Sequence, residues 1–307
     1  MNSLIDGVHI NFDTQSLWIL NLILGVVMFG IALEISWKDF KFLVYRPKPV
    51  IIGVISQFVL LPVVTFILVW LIKPVPSIAL GMIMVAACPG GNISNFITHL
   101  AKGNAALSVS LTGIATLLAI FMTPLNLEIW GGFYPPTANI LKEVSISPWQ
   151  MVRLVALLLG VPLVAGIWTN HKWPALAKKM GKILKVVSLL FFILLVFIAL
   201  YNNRSIFANY IVYVFWIVLL HNFVAYATGF SLAKAVGLSP ENVKAVTIET
   251  GIQNSGLGLL LIFTFFDGLG GMALLTAFWG VWHLVSGLLL AWFWGKKSLL
   301  IKKEKLS

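Results

Sequence analysis

The sequence predicts an all-α polytopic membrane protein with nine transmembrane helices. Of its 307 residues, 60% are hydrophobic and only 10% are charged, whereas about a quarter of the residues of a soluble domain are charged. The hydrophobic residues form nine runs, and most of these runs reach the roughly 20 residues that a helix needs to cross a membrane. The basic residues are concentrated in the short segments between the runs.

Each predicted helix is bounded by proline, glycine or charged residues, which interrupt apolar helices. The helices are predicted at residues 16–35, 47–71, 77–100, 104–125, 149–169, 183–201, 207–233, 241–264 and 270–295. The sequences at the boundaries are, in order, KDFKFLVYRPK, KPVP, KGN, NLEIWGGFYPPTANILKEVSISP, NHKWPALAKKMGK, NNRS, KAVGLSPEN and DGLGG. The fourth of these connections is long enough to have structure of its own.

The distribution of Lys and Arg predicts the orientation in the membrane. An odd number of helices places the termini on opposite sides. Of the 21 basic residues, only four lie on one side, namely Lys73, Lys142, Arg153 and Arg204, and the positive-inside rule assigns the richer side to the cytoplasm. We therefore expect an outside N-terminus and a cytoplasmic C-terminus in the cell (inner) membrane. Because orientation explains the basic excess, no nucleic acid partner is expected.

Two predicted helices contain polar and helix-breaking residues in their interior. The third contains CPGGNISN and the eighth contains IETGIQNSG. By the predicted topology they run in opposite directions, each between two long apolar helices. Helices 1–4 (about 16–125) and helices 6–9 (about 183–295) are therefore candidates for an inverted-topology repeat, which points to a transport site near the midplane. Close packing of small residues is the simpler alternative, but it does not explain the amides, hydroxyls and carboxylate.

Glu249 is the one acidic residue clearly inside a predicted span. A charge at the membrane centre costs at least about 2.5–3.5 kcal/mol, so this carboxylate needs a proton, a cation or a basic partner. The centres of the predicted helices contain no Lys or Arg. A bound cation is the favoured explanation, and oxygen donors select a hard ion such as Na⁺ over a transition metal. A protonated Glu249 that hydrogen-bonds across helices remains the alternative.

Other polar residues in the predicted helices are candidate ligands. Ser108 and Thr112 are four residues apart and share one helix face. Such hydroxyls often bond to their own helix backbone, but together with Ser94 and Asn95 they become plausible cation ligands. Single polar residues occur in three further helices, namely Gln57, Asn222 and His283. Hydrogen bonds between helices are the alternative to a functional role for each of these.

Enzyme signatures are missing from the sequence. HExxH, a P-loop and a nucleophile elbow do not occur, and the carboxylates are too few for an aspartyl dyad. We therefore expect neither an enzyme nor a cofactor.

Six segments together give the chain a specific family resemblance. They are MFGIALEISWKDF, VISQFVLLPV, CPGGNISNFITHLAKGNAALSVSLT, HNFVAYATGF, ENVKAVTIETGIQNSGLG and GVWHLVSG. In this order and spacing they resemble the bile acid:sodium symporter family over nearly the whole chain. The resemblance implies a single transporter domain over 1–307, in which core and panel subdomains are formed and two broken helices cross in the core. The nine predicted helices match the nine-helix members of that family.

The resemblance also implies two sodium sites and a substrate cavity. One sodium site is expected at Ser94, Asn95, Ser108, Thr112 and Glu249. The other is expected at Gln57, Glu249 and Gln253, with main-chain oxygens of Thr250 and Ile252. The residues expected to border the cavity are Asn92, Asn254 and His283. Asn92 stands where Thr is familiar in bacterial relatives, and Leu284 where relatives can have Asn.

The resemblance predicts sodium-coupled symport of an organic anion into the cytoplasm with two Na⁺ by alternating access. The anion would be bile-acid-like or a small carboxylate such as pantoate. Two Na⁺, Glu249 and a monoanion sum to zero charge, which favours movement of the loaded site through a region of low dielectric constant. A proton-coupled organic anion carrier that uses Glu249 and a ligand-sensing membrane protein without transport are the alternatives.

Overall fold

The structure is a computed structural model that describes residues 45–144, 147–184 and 204–304, with residues 6, 22, 25–30, 32, 33, 35, 186, 187 and 190. Within these residues the regular elements are helices, and one isolated β-bridge is present. Half of the predicted first helix (16–35) and most of the predicted sixth helix (183–201) lie outside the described residues. The other predicted helices all have counterparts.

Helix α1 is Pro47–Ile72, close to the predicted 47–71. Its middle is a π-helical turn, Ser56–Leu60, which ends two residues before Pro62. Proline has no N–H and its ring clashes with the carbonyl four residues earlier, here that of Phe58. The Asn126 side chain donates to this carbonyl at 3.1 Å. The widened turn includes Gln57, and π-helical turns are frequent at functional sites.

The third predicted helix is broken as expected. It consists of α2, Pro76–Ala87, and α3, Ile93–Leu100. Helix α4 follows as Ala105–Phe133 and continues beyond its predicted end at 125. The long connection is also helical, because α5 covers Pro135–Val144. Its hydroxyl at Thr137 donates to the Gly131 carbonyl at 2.6 Å, which ties α5 to the last turn of α4.

The second half of the chain repeats this pattern of long and broken helices. Helix α6 consists of Pro148–Val155, the π-helical turn Ala156–Gly160 and Val161–Lys172. Residues 174–184 are also helical. The next elements are α7, Arg204–Ala235; α8, Pro240–Gly251; α9, Ser255–Phe265; and α10, Gly270–Glu304. The eighth predicted helix is therefore broken between Gly251 and Ser255.

In the described part of the chain, five helices are long and apolar enough to cross a membrane, namely Pro47–Ile72, Ala105–Phe133, Trp149–Lys172, Tyr210–Ala235 and Gly270–Gly295. Helices α2 and α9 are apolar but shorter. Large apolar side chains are exposed on the outer surface, including Leu71, Phe121 and Trp216. Lipid rather than water suits such a surface, since a soluble monomer rarely exposes extensive apolar area.

The two breaks meet in the interior. Gly90 and Gln253 form an antiparallel bridge, the Gly91 N–H donates to the Ile252 carbonyl at 2.8 Å, and the Asn254 N–H donates to the Pro89 carbonyl at 2.9 Å. Backbone groups freed by broken helices need partners inside a membrane. Here each break supplies partners for the other, so the two broken helices cross at their interruptions.

A second connection joins the broken helices at the end of α3. The Asn104 N–H donates to the Glu241 carbonyl at 3.0 Å, and its side chain donates to Asn242 Oδ1 at 2.8 Å. The Lys244 ammonium donates to the Ala101 carbonyl at 2.8 Å. Hydrogen bonds therefore connect α3 to α8 at both of its ends, at the breaks and near Asn104, so α3 and the start of α8 are held as one unit.

Candidate functional site

The carboxylate of Glu249 lies in the last turn of α8 and is 2% exposed. Ser94 Oγ donates to Glu249 Oε2 at 2.5 Å, and Thr112 Oγ1 donates to Oε1 at 2.8 Å. Ser108 Oγ is 3.4 Å from Oε2. Among the described residues these partners are neutral hydroxyls rather than Lys or Arg, so the environment is polar but supplies no positive charge.

Asn95 completes a group of five residues that we call the first cluster: Ser94, Asn95, Ser108, Thr112 and Glu249. Thr112 Oγ1 lies within hydrogen-bonding distance of three acceptors, namely Asn95 Oδ1 (3.2 Å), the Ser108 carbonyl (3.0 Å) and Glu249 Oε1. One hydroxyl proton can satisfy only one acceptor at a time. Oxygen lone pairs therefore outnumber the donors in this cluster, which suits a cation.

The local fold explains why these five residues meet. Ser94 and Asn95 lie in the first turn of α3, directly after the first break. Ser108 and Thr112 lie on one face of α4, which packs against α3 and α8. Gly90 lies so close to Glu249 that a Cβ there would collide with the carboxylate. The crossing therefore brings the acid of one broken helix against the Ser94 hydroxyl of the other, and the packing of α4 adds the hydroxyls of Ser108 and Thr112.

A second cluster consists of Gln57, Thr250 and Gln253. Gln57 Nε2 donates to Gln253 Oε1 at 2.7 Å and to the Cys88 carbonyl at 2.8 Å. Gln253 Nε2 donates to the Thr250 carbonyl at 2.6 Å and lies 3.3 Å from Gln57 Oε1. All three residues are at most 1% exposed. The cluster therefore joins the π-helical turn of α1 to both breaks.

Two residues that the resemblance assigns to the second sodium site lie outside these side-chain contacts. The Ile252 carbonyl accepts from the Gly91 N–H. The Glu249 carboxylate hydrogen-bonds to the first cluster rather than to Gln57 or Gln253. Glu249 is adjacent in sequence to Thr250, and Gly90 touches Glu249 and bridges to Gln253. The two clusters are thus neighbours that meet at Gly90.

The three expected cavity residues are not joined by hydrogen bonds to one another. Asn92 is partly exposed and precedes α3. Asn254 caps α9, because its Oδ1 accepts from the Leu257 N–H at 3.0 Å. His283 is 7% exposed and its Nδ1 has no hydrogen-bond partner among the described residues. Leu284 is partly buried beside it.

Sequence reasoning missed several contacts around the breaks. Asn222 has the hydrogen bonds between helices that its sequence position predicts, but its partner is the Gly251 carbonyl at the second break, at 2.8 Å. Ser286, which no sequence signal marks beyond its place in GVWHLVSG, donates to Asn222 Oδ1 at 2.7 Å. Ser56 and Thr250 pair through their hydroxyls at 2.8 Å.

Comparison with known proteins identifies the family. The profile described as Sodium Bile acid symporter family matches residues 21–210, more than half of the chain. The chain belongs to the sodium bile acid symporter family. This confirms the resemblance deduced from the six segments.

Relatives of the family extend the match to nearly the full length. The uncharacterized sodium-dependent transporter YocS of Bacillus subtilis (strain 168) is 36% identical over 298 residues, 96% of this chain and 88% of the relative. The human ileal sodium/bile acid cotransporter is 33% identical over 242 residues, 78% of this chain and 67% of the relative. The mouse sodium-dependent organic anion transporter is 30% identical over 274 residues, 88% of this chain and 71% of the relative.

Family membership and the five apolar helices together make this chain a multi-pass membrane protein. The relatives of the sodium bile acid symporter family are named transporters and cotransporters rather than enzymes. The expectation of a transporter that is not an enzyme is therefore confirmed.

Proposed function

We propose that the protein is a sodium-coupled symporter that moves an organic anion into the cytoplasm with two Na⁺ by alternating access. The observation that best supports this function is the first cluster, in which one buried carboxylate faces hydroxyls from two other helices and an amide oxygen lies beside one of these hydroxyls. Among the described residues no basic side chain balances it. A cation is the simplest group that would do so.

The first cluster fits Na⁺ by its donor set. Hard cations bind oxygen ligands, and the cluster offers a carboxylate, three hydroxyls and one amide oxygen. Each hydroxyl can turn its proton outward and present a lone pair inward. A bound cation would also offset the cost, at least about 2.5–3.5 kcal/mol, of a charge at membrane depth.

The second cluster fits Na⁺ after a local rearrangement. The Gln57 and Gln253 amides now pair with each other. A half-turn of each amide exchanges its nitrogen for its oxygen with little change of shape. The Gln253 oxygen would then face the Thr250 carbonyl, and the Gln57 oxygen would face the Cys88 carbonyl. With the Ile252 carbonyl and Glu249 as the shared carboxylate, these groups would form the second sodium site.

Two Na⁺ per anion give a consistent charge balance and driving force. Two cations, Glu249 and a monoanion sum to zero. Each complete cycle moves one net positive charge inward, which a potential of 100 mV drives with about 2.3 kcal/mol. A tenfold Na⁺ gradient adds about 1.4 kcal/mol per ion. The total of about 5 kcal/mol supports accumulation of the order of a thousandfold or more.

The proposed architecture has nine transmembrane helices, numbered here as in the sequence prediction. Predicted helices 1–4 (about 16–125) and 6–9 (about 183–295) are inverted repeats that form core and panel subdomains. Its support is the pair of broken helices that occupy corresponding positions and meet in an antiparallel bridge. The Lys and Arg distribution supports an outside N-terminus and a cytoplasmic C-terminus in the inner membrane.

The proposed substrate is a bile-acid-like anion or a small carboxylate such as pantoate. The names of relatives, bile acid and organic anion transporters, support this class. Asn92, Asn254 and His283 would border the cavity, where polar side chains and the half-helix N-terminus of α9 can orient an anion. The cavity would adjoin the first cluster, because Asn92 is two residues from Ser94.

Uptake into proteoliposomes with separately imposed Na⁺ and proton gradients tests this function. Candidate anions are a conjugated bile acid, a sulfated steroid and pantoate, first ranked by thermal stabilisation of the protein with and without Na⁺. Symport predicts accumulation with an inward Na⁺ gradient. Accumulation with a proton gradient alone would instead identify a proton-coupled carrier, and binding without uptake would identify a ligand sensor.

A further inference from the structure

Gly251 is the last residue of α8, and its carbonyl lies at the second break. In an unbroken helix it would accept from the N–H of residue 255, but the Ser255 N–H donates to the Gln253 carbonyl at 3.0 Å. The Asn222 amide of α7 takes its place and donates to the Gly251 carbonyl at 2.8 Å. Asn222 is 1% exposed. A buried carbonyl freed by the break is thus satisfied by a side chain from another helix.

Chemistry determines the orientation of the Asn222 amide. A carbonyl can only accept, so the amide nitrogen must face Gly251 and the amide oxygen must face away. That oxygen accepts from Ser286 Oγ of α10 at 2.7 Å. Ser286 has one proton and uses it here, so the Tyr226 hydroxyl at 3.3 Å is placed to donate to Ser286. The result is a directed chain from Tyr226 through Ser286 and Asn222 to Gly251.

Close packing restricts the movement of the residues in this hydrogen-bond chain. A Cβ at Gly251 would collide with the Tyr226 ring. A Cβ at Gly287 would lie 3.1 Å from Ile252 Cδ1 and 3.3 Å from the Tyr226 hydroxyl. Glycine at both positions allows α7 and α10 to approach the break closely, and the contacts that result limit movement of the Gly251 backbone.

We propose that Asn222 is a positioning residue for the second sodium site, with Ser286 holding Asn222 in place. The inference rests on the proposed function. Gly251 lies between Thr250 and Ile252, whose carbonyls are proposed ligands. Because a peptide unit is rigid, fixing the Gly251 carbonyl fixes the plane that leads into Ile252. Asn222 therefore positions the main-chain carbonyls proposed as sodium ligands without being a ligand itself.

The hydrogen-bond chain also extends to the proposed substrate cavity. Ser286 lies one turn after His283 on α10, and its Oγ is 3.3 Å from the His283 carbonyl. The hydrogen-bond chain therefore connects the backbone of the second sodium site to a helix that borders the cavity. This connection gives the two sites a continuous physical path.

Sodium-dependent thermal stabilisation tests the role of Asn222 with Na⁺ alone as the probe. The full chain is titrated with NaCl against KCl at constant ionic strength. Losing the buried hydrogen bond in Asn222→Ala should raise the half-saturating Na⁺ concentration about tenfold. Ser286→Ala should raise it by a smaller factor, and Ser286→Thr, which keeps the hydroxyl, should restore it. The control is Thr228→Val, since Thr228 is buried in the same helix and its hydroxyl donates to the Val224 carbonyl of that helix at 2.8 Å.

The outcomes separate this role from a structural one. A lower unfolding temperature of Asn222→Ala in KCl with an unchanged half-saturating Na⁺ concentration would overturn the positioning role. If Asn222→Ala does not fold, Ser286→Ala decides, and an unchanged Na⁺ titration of that variant overturns the proposal. If Na⁺ stabilises the wild type no more than K⁺ does, the proposed function itself fails, which is a distinct result.

Discussion

Ser94 donates a 2.5 Å hydrogen bond to Glu249, although 155 positions of sequence separate the two residues. Each belongs to a different broken helix, so the contact exists only because the helices cross at their breaks. A hydrogen bond to an ionised group is among the stronger kinds in proteins. The acid of one half of the chain is therefore stabilised by groups of the other half, and any rearrangement of the crossing changes its environment.

Glu249→Gln should reduce uptake to the level seen without a Na⁺ gradient. The substitution keeps the shape but removes the negative charge, so the loaded site would have a net positive charge at membrane depth. A penalty of about 2.7 kcal/mol corresponds to about a hundredfold loss. Uptake with and without Na⁺ checks this, and Glu241→Gln, an exposed acid at the start of α8, is the control. Retained sodium dependence in Glu249→Gln would contradict the cation assignment.

Thr112→Val should raise the half-saturating Na⁺ concentration for uptake about tenfold or more, because it removes a hydroxyl that faces a charged group. Thr116→Val is a closely matched control. Thr116 is one turn further along α4 and is also buried, and its hydroxyl donates to the Thr112 carbonyl at 2.7 Å. Equal Na⁺ activation curves for the two variants would remove Thr112 from the first sodium site.

Much of the fold was predictable because membrane helices are recognisable in a sequence as long apolar runs. The break between α2 and α3 was predictable from CPGGNISN, since proline and paired glycines disfavour a continuous helix. The meeting of Ser94, Asn95, Ser108, Thr112 and Glu249 was implied by the family resemblance. An unpaired acid in an apolar helix indicates that partners exist, but it does not identify them.

Other features depended on contacts that composition does not reveal. The continuation of α4 to Phe133 runs through Gly131 and Gly132, which resemble a helix end in sequence. The Trp130 indole supports this turn by donating to Asn126 Oδ1 at 3.0 Å. Asn222 and Ser286 are separated by 64 positions, and only the packing of α7 against α10 determines that they pair.

Gln57→Ala and Gln253→Ala should each weaken the sodium dependence of uptake and lower the Hill coefficient for Na⁺ from about two toward one. Because the two amides pair with each other, their effects should not add. A double-mutant cycle should give a coupling of about 1 kcal/mol in the apparent Na⁺ affinity. Additive effects would indicate separate roles, and an unchanged activation curve for Gln253→Ala would count against the second site.

Gly90→Ala should destabilise the protein by about 1–3 kcal/mol, since the added methyl group would collide with the Glu249 carboxylate in a closely packed interior. The crossing cannot relax easily, because both neighbouring peptide groups are hydrogen-bonded across the break. Gly132→Ala is the control, as a Cβ at that position meets nothing within 4 Å, and an alanine there should leave the helix unchanged or stabilise it by up to about 1 kcal/mol. Thermal unfolding of the purified variants measures both effects. Equal unfolding temperatures for the two variants would mean that the breaks are farther apart than the bridge between Gly90 and Gln253 requires.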